Sequence, residues 1–155
     1  MHEVVPVQDW HIEELSLTMQ QEDKDSCWAL AHLSPEQGIR LSLRNAVESY
    51  TWLADGKVGL IFGVNKQSLL SHKAHPWLLA SDLVQEYPRV FLRGCKNWID
   101  QAIVKYEWLD NYVDARHKRS IRWLQWMGFT IYPAEPIGIE KRLFHKNEKR
   151  LWVPK

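Results

Sequence analysis

The chain has 155 residues, enough for one domain with a sizeable core, and we predict a single domain over residues 1–155. Apolar residues make up 45% and charged residues 25% of the chain, which excludes an intrinsically disordered protein. Two widely separated cysteines exclude a disulfide framework, and no long apolar run or signal-peptide pattern is present. We therefore expect a protein of a reducing cytoplasm with no membrane partner.

The net charge of +1 conceals an uneven distribution of charge along the chain. Residues 1–115 carry 10 basic and 16 acidic side chains, whereas residues 116–155 carry 10 basic and 3 acidic ones. A basic end of this kind can meet the phosphates of a nucleic acid or nucleotide, an acidic face of another protein, or only solvent. The charge pattern alone leaves these alternatives open.

The first third of the chain predicts one strand and two helices from its apolar spacing and capping residues. Val4–Val7 predicts an edge strand, and a helix follows over Trp10–Met19. The polar residues 20–26 predict a loop. The second helix begins after Ser34, where a first-turn proline and a capping-box glutamine follow, and its apolar spacing extends to Val47.

The middle of the chain predicts a hairpin and one further strand. Tyr50–Leu53 and Val58–Val64 flank the dipeptide Asp55-Gly56, both of whose positions favour the positive φ that a tight turn needs. Pro76–Ser81 then predicts a buried strand, because it is a short apolar run that follows a polar stretch.

The last third predicts two helices and three strands, in the order 88–106, 108–113, 118–127, 129–132 and 137–144. Pro88 is suited to the first turn of the long helix. Gly128 ends the later helix, since glycine readily takes the left-handed conformation at that position. Pro133 and Pro136 separate the two final strands. Strands and helices mixed in this order predict an α/β sheet packed on both faces.

The order of elements and the segment His117–Phe129 together resemble the GNAT N-acetyltransferase fold. This segment is similar to the family's late helix, whose usual pattern is N-x-x-A-x-x-x-Y-x-x-x-G-F. Ser120 stands at the small-residue position, and Gly128-Phe129 matches the ending. The resemblance implies a GNAT-like mixed, mostly antiparallel sheet with helices on both faces.

The resemblance also implies where an acyl-CoA cofactor would contact the chain. The implied contacts lie at the end of the Pro76–Ser81 strand and at the starts of the two helices that follow it: Leu79, Ala80, Ser81, Arg89, Arg93, His117 and Ser120. His117, at the position of the family's asparagine, and Asp82 are the candidates for proton transfer, because both side chains can carry a proton.

Two departures from the family's pattern predict an eroded cofactor site. Family members hold the pyrophosphate on a Q/R-x-x-G-x-G/A loop, whose glycines let main-chain N–H groups approach the phosphates. The corresponding residues 81–90 contain no glycine, Pro88 lacks an N–H, and Asp82 and Glu86 would repel phosphates. Leu124 stands where the family has a tyrosine acid, and it has no proton to give.

Three further groups of residues have a structural interpretation that we prefer to a functional one. His72 and His75 have metal-ligand spacing but no accompanying Cys or carboxylate, so a loop is favoured and no metal is expected. Asp110 begins a strand, where we expect it to be solvated. The basic residues beside Trp123 in the late helix are compatible with nucleic acid, but such a tryptophan is more often part of a core.

The stretch from about residue 45 to 145 also resembles a GNAT-like family of internal virion or head-assembly proteins from short-tailed bacteriophages. The residues that carry this likeness are the hairpin, Trp77–Asp82, the long helix, Trp108–Val113 and the late helix. The leading hypothesis is therefore a phage protein that has kept the scaffold, binds no cofactor and acts in virion assembly. Its partners would be other virion proteins or copies of itself, in the host cytoplasm or in the particle.

Two other functions compete with this hypothesis. The first is an active N-acyltransferase that uses acetyl-CoA to modify an amine. The second is a nucleic-acid-binding accessory protein, which the basic C-terminal region would support.

Overall fold

A computed structural model describes residues 1–152, which form seven strands and six helices. In chain order these are β1 His2–Val5, α1 Asp9–Thr18, α2 Gln21–Ala31, α3 Pro35–Arg44, β2 Ala46–Ala54, β3 Lys57–Asn65, β4 His75–Ala80, α4 Leu83–Glu86, α5 Pro88–Tyr106, β5 Trp108–Asp114, α6 Lys118–Trp126, β6 Thr130–Ile137 and β7 Arg142–Arg150. None of the helices within these residues combines the length and the apolar character that a membrane span requires.

The strands form two antiparallel sheets, ordered β1-β2-β3-β4 and β5-β7-β6, which meet through a parallel bridge between Ala74, just before β4, and Leu109 of β5. Side chains of α1 and α3, such as Leu15 and Ile39, pack with Ile61 on one face of the first sheet. Phe91 of α5 packs with Leu60 on the other face. The predicted α/β sheet with helices on both faces is therefore confirmed.

Local signals placed several element ends correctly. Ser34 Oγ accepts a hydrogen bond from the Gln37 N–H at 3.2 Å, and Gln37 Oε1 accepts one from the Ser34 N–H at 2.9 Å, which is the predicted capping box. Asp55 and Gly56 have φ values of 50° and 78°, as the predicted turn requires. Gly128 has a φ of 95° just beyond α6.

The prediction of a loop at residues 20–26 was wrong, because α2 begins at Gln21. Its first turn is acidic, which favours a helix N-terminus, but the helix has only one fully buried residue, Ala29, and so lacks an apolar stripe. The start of α2 is fixed to β4, where the Gln20 N–H donates to the Ala80 carbonyl oxygen at 2.8 Å. The helix predicted after Ser34 was too long, because α3 ends at Arg44 and Val47 lies in β2.

The predicted break between the last two strands was also wrong, because β6 runs from Thr130 to Ile137 through Pro133 and Pro136. β6 lies at the edge of its sheet, and its register against β7 shifts between Ile131 and Ala134. An edge strand with an irregular register tolerates proline, whose missing N–H then faces away from the ladder. The last strand is β7, Arg142–Arg150, rather than residues 137–144.

Two glycines give opposite predictions for stability. A Cβ on Gly59 would overlap the indole ring of Trp52, whereas a Cβ on Gly94, inside α5, would meet no atom within 4 Å. Gly59→Ala should therefore lower the free energy of unfolding by about 1–3 kcal/mol. Gly94→Ala should raise it by about 0.5–1 kcal/mol through the better helix propensity of alanine. Urea denaturation of both variants checks this, and equal effects would contradict the packing described.

Candidate functional site

β4 and β5 run side by side for only a few residues and then separate. The Ala74 N–H donates to the Trp108 carbonyl oxygen at 2.9 Å, and the Asp110 N–H donates to the Ala74 carbonyl oxygen at 3.0 Å. Ala74 lies just before β4, and the first residue of β4 that faces β5 is Pro76, which has no N–H to continue the ladder. The parallel pairing ends at this residue.

The Asn111 side chain fills the position where the ladder stops. Its amide nitrogen donates to the Pro76 carbonyl oxygen, and its amide oxygen accepts the Tyr112 N–H at 2.7 Å. Both main-chain groups thus find a partner without direct pairing between the strands. Beyond Asn111 the two strands diverge and leave a gap in the sheet.

The peptide of Leu78 faces this gap with no strand partner. The Ser81 N–H donates to Gly59 in β3 at 2.9 Å, and alternate residues of an antiparallel strand face the same neighbour. Ala80 and Leu78 therefore turn their N–H and C=O groups away from β3. Those of Ala80 are bound by α2, but no hydrogen bond joins the Leu78 peptide to another residue within 1–152.

A cleft of about 240 Å³ occupies the gap and is lined from both faces of the sheet. From the α2 side come Gln20, Asp23, Ser26 and Tyr112. From the side of α5 and α6 come Phe91, Leu92, Cys95, His117, Ser120, Trp123 and Leu124. Two ligands that approach from opposite faces of the sheet can therefore meet in this cleft.

Asp23 is a carboxyl of the cleft whose proton affinity is matched to neutral pH. Burial raises the pKa of its carboxyl from 3.8 to about 7. The Ala80 N–H, which donates to Asp23 Oδ2 at 2.8 Å, and the Gln20 amide at 3.0 Å oppose this rise. A carboxyl with such a pKa in a cleft can accept and release a proton at neutral pH.

Asp110 lies at the closed end, and its predicted solvation was wrong, since it is only 6% exposed. Its carboxylate pairs with His75 Nδ1 at 2.5 Å and with Lys73 Nζ at 3.8 Å. Burial raises the pKa of Asp110, but the hydrogen bond and charge of His75 and the charges of Lys73 and Lys146 together outweigh burial and hold the pKa below its usual value. Contact with Asp110 raises the pKa of His75. The trio forms an ion-pair cluster at the junction of the two sheets.

The structure brings together three of the sequence-predicted contacts, because Leu79, His117 and Ser120 all line the cleft. Ser81 is buried, and its hydroxyl donates to the Val58 carbonyl oxygen at 2.9 Å. Ala80 is completely buried, with its peptide bound to α2. Asp82 is exposed and lies outside the cleft lining.

The start of α5 lies beyond the open end of β4 and offers few main-chain donors. Pro88 has no N–H, and the Phe91 N–H donates to the Tyr87 carbonyl oxygen at 3.0 Å, which leaves the N–H groups of Arg89 and Val90. The Arg89 and Arg93 side chains are exposed here, and neither forms an ion pair with another described residue. Phosphate binding at this helix would therefore depend on arginine side chains more than on main-chain groups.

Two other cleft side chains are poorly suited to chemistry. Leu124 packs against the cluster that contains Ile99 and Phe129. Burial raises the pKa of the Cys95 thiol to about 12, so it is not ionised at neutral pH and is a weak nucleophile.

Asn147 of β7 is a cleft residue that the sequence did not single out. It is 1% exposed, and neither its amide nitrogen nor its amide oxygen has a hydrogen-bond partner among the described residues. A buried polar group without a partner costs free energy, so this amide is available to a ligand or a water molecule. A single polar residue inside a strand carries no motif that could have revealed it.

Comparison with known proteins supports the fold. No protein-family profile matches the chain, and no curated protein sequence does. An N-acetyltransferase from Staphylococcus aureus Mu50 superposes with a TM-score of 0.73 at 12% identity, over 98% of this chain and 99% of that chain. A GNAT-family acetyltransferase from Streptococcus pneumoniae gives 0.64 at 15% identity, over 98% and 100%.

A third similar structure was solved with ligands. Spermidine N-acetyltransferase from Vibrio cholerae, in complex with CoA and spermine, superposes with a TM-score of 0.67 at 9% identity, over 96% of this chain and 95% of that chain. At such identities the likeness establishes the GNAT fold and leaves the activity to be argued from the site.

The two opposed asparagines of β5 and β7 allow a matched test of the site. Asn147→Leu should raise the free energy of unfolding by about 1–3 kcal/mol, because it removes a buried amide that has no partner. Asn111→Leu should lower it by about 1–3 kcal/mol, because Pro76 and Tyr112 lose their bonds to the amide. Urea denaturation measures both, and a destabilised Asn147→Leu would contradict an unpaired amide.

Proposed function

We propose that this protein transfers an acyl group from acyl-CoA to an amine. The observation that carries the proposal is one cleft that combines a carboxyl of pKa about 7, Asp23, with the unpaired peptide of Leu78. An amine entering from the α2 side would reach Asp23. An acyl donor entering from the side of α5 and α6 would reach Leu78.

The residues present fit the extended arm of CoA better than its phosphates. The free N–H and C=O of Leu78 can pair with an amide of the arm as another strand would. His117 and Ser120 lie on the opposite wall. Arg89 and Arg93 would meet the phosphates in place of a glycine-rich loop. When bound, acyl-CoA supplies the thioester carbonyl that an amine can attack.

The chain's own groups would accept and return the protons of the reaction and would position the two reactants. An amine is protonated at neutral pH and must lose a proton before it can attack, and Asp23 is the base for that step. Leu124 cannot return a proton to the departing thiolate. We assign that step to His117, which lies on the α6 wall of the cleft and is 9% exposed.

The phage origin, the eroded site and the role in virion assembly stay predictions of the sequence. The feature that favours a protein-assembly role is the exposure of large apolar side chains: Trp28 is 54%, Trp126 54% and Trp152 72% exposed. Such residues are common at protein interfaces. The leading hypothesis has no cofactor, so it predicts neither acyl-CoA binding nor turnover.

Asp23→Asn is the direct test of the proposed activity. The variant should lower kcat by about 10²–10⁴-fold with acetyl-CoA and a panel of amines, because the amide cannot accept the proton. In the unchanged protein, kcat/KM should rise with pH through about 7, since the base must be ionised. A coupled assay for released thiol measures both.

Asp82→Asn is the matched control, because it makes the same change at an exposed residue outside the cleft. It should keep kcat within about twofold of the original value. No detectable turnover by the unchanged protein over a broad panel of amines would overturn the proposal.

Asp23 should also make stability depend on pH. Its folded pKa of about 7 exceeds the unfolded value of 3.8, so its contribution to stability is full below the unfolded value and is lost as pH rises through about 7. Asp23→Asn should therefore melt roughly 2–6 °C above the unchanged protein near pH 8. Near pH 5 this difference in melting temperature should be smaller. A difference in melting temperature that stays the same from pH 5 to pH 8 would mean that the pKa of Asp23 is not raised as described.

A further inference from the structure

A second cavity, of about 190 Å³, lies between α5 and the first sheet. Trp52, Leu60 and Phe62 of the central strands form its floor, and Val90 and Gly94 of α5 form its roof. At its outer end it reaches β1, where Val4 is 61% exposed. Its walls are almost wholly apolar, and it exceeds the roughly 150 Å³ of an engineered apolar cavity that admits benzene.

Four side chains separate this cavity from the cleft between β4 and β5. Leu78, Phe91, Cys95 and Trp98 line both spaces, so the two are divided by a single layer of apolar groups. The peptide of Leu78 faces the cleft, whereas its side chain packs beneath α5. A group held at the Leu78 peptide therefore lies directly beside the dividing layer.

We infer that the second cavity receives the acyl chain of the donor, and that the protein prefers a medium-length acyl-CoA such as octanoyl-CoA to acetyl-CoA. This inference rests on the proposed function. An acetyl group would leave the cavity unfilled. A longer saturated chain that displaces the dividing layer of four side chains and enters the cavity would be removed from water. Each methylene buried in this way tightens binding about fourfold.

The glycine at position 94 supports the inference that a ligand fills the second cavity. Glycine inside a helix lowers stability relative to alanine, and no neighbouring atom within 4 Å requires its small size. Its absent side chain instead leaves the roof of the cavity open. Gly94 lines the second cavity and not the cleft, so a substitution there can fill one space without entering the other.

The experiment is calorimetric titration of the whole chain with octanoyl-CoA and with acetyl-CoA. The unchanged protein should bind octanoyl-CoA at least about tenfold more tightly than acetyl-CoA. Gly94→Phe, which fills the cavity, should remove that advantage and leave the Kd for acetyl-CoA within about twofold. Gly94→Ala, which adds little volume, should keep the advantage. Gly94→Leu replaces the Phe variant if thermal melting shows that the latter does not fold.

The outcomes separate the two proposals. Equal affinities for both ligands in the unchanged protein, or an octanoyl preference that survives in a folded Gly94→Phe or Gly94→Leu variant, would overturn the acyl-chain cavity and leave the proposed transferase intact. Binding of neither ligand at millimolar concentration would overturn the proposed function itself, and the inference with it.

Discussion

The missing N–H of Pro76 is the constraint on which the rest of the site depends. A parallel ladder between β4 and β5 would otherwise close the sheet, because each strand would satisfy the other's main-chain groups. Pro76 interrupts the ladder, and the Asn111 amide takes over the bonds on both sides of the interruption. The strands can then diverge without leaving Pro76 or Tyr112 unpaired, and the Leu78 peptide becomes the free edge of the gap.

The contact between α2 and Ala80 limits how far the gap extends. Asp23 and the Gln20 N–H together bind both main-chain groups of Ala80, so β4 is open at Leu78 but closed beyond it. The same contact places a carboxylate where water has little access, which raises its pKa. The hydrogen bonds to Ala80 therefore close the edge of the sheet and also place Asp23 where it can act as a base. α2 is held at its start by this contact and at its other end by the N–H groups of Ile139 and Glu140, which donate to the carbonyl oxygens of Leu30 and Ala29.

Much of the fold follows from local signals, but the site depends on register and burial. The capping box at Ser34 and the turn at Asp55 are determined by neighbouring residues, so the sequence predicts them. The helix that carries Asp23 was missed, because tertiary bonds to β4 replace the apolar stripe that would have marked it. His117 and Ser120 were found through a resemblance to a known helix. Asn147 and the Leu78 peptide were not, since only the pairing of strands reveals which groups lack a partner.

The central claim is that the Leu78 peptide is a free strand edge that an acyl-CoA arm occupies. Amide hydrogen exchange measured by NMR tests it at one residue. Without ligand, the Leu78 N–H should exchange faster than those of Trp77 and Leu79, which face β3. Saturating acetyl-CoA should slow exchange at Leu78 by at least about tenfold and leave the two neighbours unchanged. Exchange at Leu78 that is already slow, or that acetyl-CoA does not alter, would contradict the account.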